Sequence, residues 1–113
     1  MSNRWGIPKW LEDEIKERDK YCVYCGIFMI EKSLKGESRC SVASWEHIIN
    51  DASIITRDNI ARCCTGCNSS KGTKDLIVWL ESNYCKSKGI TEKSVAEVLK
   101  AAIKEAKDNL TNK

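Results

Sequence analysis

The sequence predicts a small α+β domain: a β-hairpin and a short helix held by cysteines, with helices flanking them on both sides. Three observations carry that expectation. Two Cys-x-x-C pairs, Cys22/Cys25 and Cys64/Cys67, sit in the first and second halves of the chain. A β-rich segment from Arg39 to Asn50 and a second short apolar run from Ile60 to Cys63 describe a hairpin. A long i, i+3, i+4, i+7 apolar stripe closes the chain. At 113 residues this is one domain, 1–113, with a core at about 21–72 and helical flanks at 8–19 and 74–110. A chain so short buries a modest share of its surface, so a further staple such as a bound ion would help it fold.

Taken in order, Ile7, Trp10, Leu11 and Ile15 fall at helical spacing around Pro8, whose missing N–H suits a first turn, and predict a helix over 8–19. Tyr21-Cys-Val-Tyr-Cys-Gly26 reads as a tight knuckle, because glycine lets the chain reverse while both sulfurs point one way. Ile27 to Ile30 is a short strand or turn running into a polar loop through Gly36. After the hairpin, Cys64 to Gly72 repeats the cysteine spacing and predicts a short helix stopped by Gly72. Leu76, Ile77, Leu80 and Tyr84 predict one helix over roughly 74–85. Val95, Val98, Leu99, Ala102, Ile103, Ala106 and Leu110 mark the surest helix, with Ser94 and Glu97 as a candidate capping box.

Cysteine number and context constrain the chemistry. There are seven, and neither an apolar leader nor a run long enough to span a membrane is visible, which places the chain in the cytosol with its thiols reduced. Metal ligation is then favoured over disulfides. Cys22, Cys25, Cys64 and Cys67 make a closed tetrahedral zinc set; Cys63 could replace Cys64, but only Cys64 keeps the three-residue spacing to Cys67. Cys40, Cys63 and Cys85 are left over and read as small buried hydrophobes. The net charge of +3 permits nucleic-acid binding without announcing it, since a basic footprint must be local to count.

Between Cys25 and Cys64 lie 38 residues, more than the loops of about 12 to 20 residues in compact zinc-finger patterns. That loop holds the chain's one histidine, His47, in the run Trp45-Glu46-His47-Ile48-Ile49. With Asp58-Asn59-Ile60-Ala61-Arg62-Cys63-Cys64 and Thr65-Gly66-Cys67-Asn68-Ser69-Ser70-Lys71-Gly72, it resembles the core of HNH endonucleases of the ββα-metal type, over about half of the chain. The resemblance implies a ββα-metal fold with a zinc staple, and it places the three name-giving positions at His47, Asn59 and Asn68, a variant ending in asparagine. Glu46 stands where the family more often has aspartate.

What the resemblance implies is hydrolysis of DNA phosphodiesters, leaving a 5′-phosphate and a 3′-hydroxyl. His47 would be the general base, a role worth about 10² to 10⁴ in rate. Glu46 and the Asn68 side-chain oxygen would hold a hard divalent ion, Mg2+ or Mn2+, completed by water and phosphate. Because adjacent strand residues point to opposite faces, Glu46 and His47 can share a site only where the strand bends or ends. Asn59 would hydrogen-bond across the loop and hold the His47 backbone.

Arg57, Arg62, Lys71 and Lys74 are candidates for DNA phosphate, with Arg62 and Lys71 the chosen contacts and the helix beginning near Cys67 a second source of N–H donors. Lys71 falls on the helical face of Asn68. One core holds one base, so a monomer or weak homodimer should nick double-stranded DNA. The rival expectations are a non-catalytic zinc-knuckle nucleic-acid-binding module and a zinc-stabilised protein-interaction module.

Overall fold

A computed structural model describes residues 6–31, 39–49 and 53–111, with the side chains of Arg39 and of residues 109–111 outside the description. Among the described residues the chain forms five α-helices, one 3-10 turn at Arg39–Ser41 and a two-stranded antiparallel sheet, an α+β domain. No described helix is long and apolar enough to cross a membrane.

Helix α1 (Lys9–Arg18) starts behind Pro8, which stands extended at φ −60° as the N-cap. It buries Leu11 and Ile15, which join Ile7 and Ile60 in a small cluster edged by Trp45 and Ile55. Its end is tied to the sheet by charge-assisted bonds. Arg18 grips the Asp19 carboxylate and donates to the Arg57 and Ile60 carbonyls, while Asp19 accepts from the Arg62 amide at 3.2 Å. Trp10, although it shares the apolar spacing of Leu11 and Ile15, is exposed.

The knuckle closes with Gly26 at φ +79°, a conformation that costs a side-chain-bearing residue free energy, and Tyr21 pairs with Phe28 across it. The expected strand at 27–30 reduces to two isolated bridges, this one and a parallel one between Ile30 and Val42. Strands β1 (Ala43–His47) and β2 (Ile60–Cys64) pair in the register Ser44 to Cys63, Trp45 to Arg62, Glu46 to Ala61 and His47 to Ile60. Since paired residues share a face, Ser44, Glu46, Ala61 and Cys63 look one way, and Trp45, His47, Ile60 and Arg62 look toward α1.

Helix α2 (Thr65–Lys71) follows β2 without a loop and ends at Gly72, whose φ is +51°. The single helix expected over 74–85 is two: α3 (Leu76–Leu80), capped by Asp75, and α4 (Asn83–Lys88), capped by Ser82. Ser82 accepts the Cys85 amide with its hydroxyl and so offers the backbone an alternative to continuing the first helix. Helix α5 (Glu97–Thr111) covers the other side with Val95, Leu99, Ala102 and Ile103 buried. The proposed capping box is not formed: Ser94 instead accepts from the Thr91 amide and donates to the Gly89 carbonyl, closing the turn before the helix. Trp79, fully buried, packs edge-on against Tyr24 with ring centres 4.8 Å apart and donates to Ser70 Oγ, so the knuckle, α2 and α3 meet on one side chain. The Ala96 amide donates to the Val23 carbonyl and ties the start of α5 to the knuckle.

Candidate functional site

The four cysteines of the two pairs converge. Cys22 and Cys25 come from the knuckle turn, Cys64 from the end of β2, and Cys67 from the first turn of α2, and their sulfurs all lie within 4.8 Å of one another. A tetrahedron with metal–sulfur bonds of about 2.3 Å sets sulfurs about 3.8 Å apart. The Cys25–Cys64 separation is 3.7 Å, close to that spacing, so these four residues could hold a zinc ion. Both pairs also turn a backbone N–H onto the leading sulfur: Cys25 N–H onto Cys22, and Cys67 N–H onto Cys64. The Tyr84 hydroxyl donates to the Cys67 sulfur at 3.4 Å.

Protonation within the cluster is uneven. Hydrogen bonds from Cys64 and Cys67 hold the Cys22 thiol far below its usual range, and the same bonds push the Cys64 thiol up to about 12 and the Cys67 thiol higher still. Burial and the nearby Glu46 raise the Cys63 thiol, and what separates it from its neighbour Cys64 is its place outside the four-sulfur cluster. Cys63 and Cys85 are buried, as expected of spare thiols; Cys40 is exposed, because it lies on the short 3-10 turn over α2 rather than in the core.

At the far end of the hairpin the sequence-predicted residues are near one another but otherwise engaged. Asn59 is buried and clasps the chain beyond β1: its Oδ1 accepts from the Ile49 amide at 2.7 Å, and its Nδ2 donates to the Ile49 and Ile54 carbonyls. Its backbone carbonyl accepts from the Ile48 amide, directly after His47. His47 is buried and is the last residue of β1. Asn68 donates through Nδ2 to Ser44 Oγ at 2.9 Å and to the Trp45 carbonyl at 3.3 Å, docking α2 on β1.

Glu46 sits on the face opposite His47, because β1 runs straight through both. Its Oε2 accepts the Tyr24 hydroxyl at 2.6 Å and lies 3.2 Å from the Lys71 ammonium. Burial first, and the Glu46 charge second, push the Tyr24 hydroxyl well above its usual value, so it stays a donor. As arranged, Glu46 and Asn68 do not fit a divalent ion: the carboxylate already holds a cation, and the amide is turned to the strand.

The phosphate contacts expected of Arg62 and Lys71 need correcting. Lys71 is 1% exposed and faces Glu46. Arg62 forms a two-pronged ion pair with Glu31 at 2.6 and 2.8 Å and stacks over Trp45 at 5.0 Å. Arg57 pairs with Glu14, and Lys74 donates to the Ser70 carbonyl. At the start of α2 the Cys67 N–H serves the Cys64 sulfur and the Thr65 N–H the Val42 carbonyl. A cavity of about 400 Å³ opens between Asn59 and Ala102, but its charged rim, Asp58 and Glu105, is acidic. Sequence reasoning missed Tyr24 as the partner of Glu46, since a tyrosine inside a cysteine turn gives no sign of where it points. It missed Ser44 and Tyr84 for the same reason.

Comparison with protein-family models, with curated proteins and with solved structures finds no match to the chain.

Proposed function

We propose that this chain is a zinc-stapled DNA endonuclease of the HNH type. The observation that supports it most is at the end of β1, where the Asn59 clasp holds the residues that directly follow His47. Zinc on Cys22, Cys25, Cys64 and Cys67 would fix the knuckle to the β2–α2 corner from which the hairpin runs.

In this reading the His47 imidazole takes the proton of a water whose oxygen attacks phosphorus, and the bond to the 3′ oxygen breaks. A second reading, a zinc-knuckle module without catalysis, is favoured by the engagement of Glu46 with Lys71.

Supercoiled plasmid in magnesium or manganese separates the two. Open circles should accumulate well before linear DNA, because one chain carries one base. His47→Ala should lose most of this cleavage while keeping zinc and DNA binding. Salt-dependent binding with no cleavage by the unaltered chain would establish the binding module instead, and no binding at all would leave a protein-interaction module.

A further inference from the structure

With Arg62 and Lys71 held in ion pairs, a nucleic-acid backbone needs positive charge from elsewhere on the surface. Helix α5 turns its apolar stripe to the core and leaves Lys100, Lys104 and Lys107, spaced four and three residues apart, in one row along another face. The turn before the helix brings Lys93 beside them, and the four lysines, with Glu92, Asp108 and the buried Ile103, line a cavity of about 390 Å³. Lys100 pairs with Glu97 and Lys107 with Glu92. Lys93 and Lys104 are exposed and enter no ion pair among the described residues. Like charges gathered around one hollow repel one another, and an anion seated there relieves that repulsion.

We propose that this lysine row is a docking track for the phosphates of a nucleic-acid strand, separate from the residues at the end of β1. The proposal rests on the nuclease reading for the identity of the polyanion, and on the row and its cavity for the place where it binds. At a rise of about 1.5 Å per residue, Lys100 and Lys107 lie about 10 Å apart along α5, the length of about three phosphates on one strand. A row of that length matches a chain of anions better than a single one. The lining offers ammonium groups and no arginine, asparagine or glutamine, so it holds backbone and selects no sequence. The acidic-rimmed cavity beside Asn59 takes Ala102, Glu105 and Ala106 from a different flank of α5. The two flanks thus differ in sign, and a polyanion is drawn to the lysines.

The test is the fluorescence anisotropy of a labelled, mixed-sequence DNA duplex titrated with the full chain over a series of potassium chloride concentrations, without added magnesium or manganese. Each phosphate contact removed flattens the plot of log affinity against log salt by about 1, so Lys93→Gln combined with Lys104→Gln should flatten it by about 2 and weaken binding at least about tenfold at about 0.1 M salt. Lys9→Gln combined with Lys20→Gln removes the same charge from exposed positions outside the cavity, and should keep the slope and hold the affinity within about twofold. Equal losses in the two double variants overturn the proposal, since net charge alone would then account for binding. So does an unchanged slope in the Lys93 and Lys104 variant. No binding by the unaltered chain overturns it together with the nuclease reading, whereas lysine-dependent binding without plasmid cleavage sinks the nuclease reading alone.

Discussion

Tyr24, Glu46 and Lys71 bring a hydroxyl, a carboxylate and an ammonium into a region with almost no solvent contact, tolerable there because Glu46 accepts the Tyr24 hydroxyl and pairs with the Lys71 ammonium. Removing one member leaves the rest exposed to the full cost of burial. Tyr24→Phe keeps the ring against Trp79 and deletes the hydroxyl from Glu46; since hydrogen bonds to charged groups contribute about 1.5–3 kcal/mol, urea denaturation should show a loss in that range. An unchanged midpoint would mean that water replaces the hydroxyl. The pair between Arg62 and Glu31 behaves differently because the carboxylate is exposed. Hydrogen bonding to Arg62 lowers the Glu31 pKa from its usual 4.5. A lowered acid contributes stability above its unfolded value, and that contribution is lost as pH falls through the folded one. The melting temperature of Glu31→Gln should therefore lie below that of the unaltered chain at neutral pH, with the gap closing well below pH 4.5. A gap that persists there would show that the contact is not electrostatic.

At the scale of elements, the hairpin is defined less by its strands than by what joins them. Five paired residues make a short ladder, and short two-stranded sheets are marginal in water. Asn59 compensates by replacing a missing strand: three hydrogen bonds from one side chain satisfy Ile49 on both backbone groups and Ile54 on one. Asn59→Ala would strand those groups, and each buried unsatisfied polar group costs about 1–3 kcal/mol. Denaturant midpoints should drop accordingly, and amide exchange at Ile49 should speed up more than at Ala61 in the middle of β2. Equal acceleration at both positions would mean that Asn59 acts on global stability alone. The break between α3 and α4 is likewise a side-chain decision, since Ser82 diverts the backbone where the apolar period alone would have carried one helix through.

For the whole molecule the decisive link is the cysteine cluster, which joins residues 22–25 to residues 64–67 across the length of the hairpin. Structural zinc in comparable sites binds with about 10–16 kcal/mol, against a net stability of about 5–15 kcal/mol for a typical domain. Chelation should therefore unfold the protein. Serine at any of Cys22, Cys25, Cys64 or Cys67 should do the same, while Cys85→Ser should retain a zinc-dependent melting transition. About one zinc per chain by elemental analysis checks the premise, and a folded, zinc-free chain would remove it. The described part of the apolar stripe of α5 is covered from within, because Val95, Leu99, Ala102 and Ile103 join the core that contains Leu76 and Trp79. With that face closed, sedimentation should give a monomer or a weak dimer, in keeping with nicking rather than double-strand cleavage.

By itself the sequence determined the features that depend on spacing along the chain: two cysteine pairs able to share an ion, a hairpin between them, a helix behind Pro8 and a long amphipathic helix at the end. These follow from local geometry, since a three-residue spacing turns two sulfurs together wherever it occurs and an apolar stripe must find a core. The tertiary structure alone decided which charges meet. That Lys71 turns inward to Glu46 rather than outward, that Arg62 is held by Glu31, and that Tyr24 completes the buried trio depends on elements brought together over 22 to 31 residues of chain. Lysine and arginine reach their partners through long flexible side chains, so a sequence fixes their charge but not their direction; only the packing of α2 and the knuckle against one face of the hairpin, and of α1 against the other, does that.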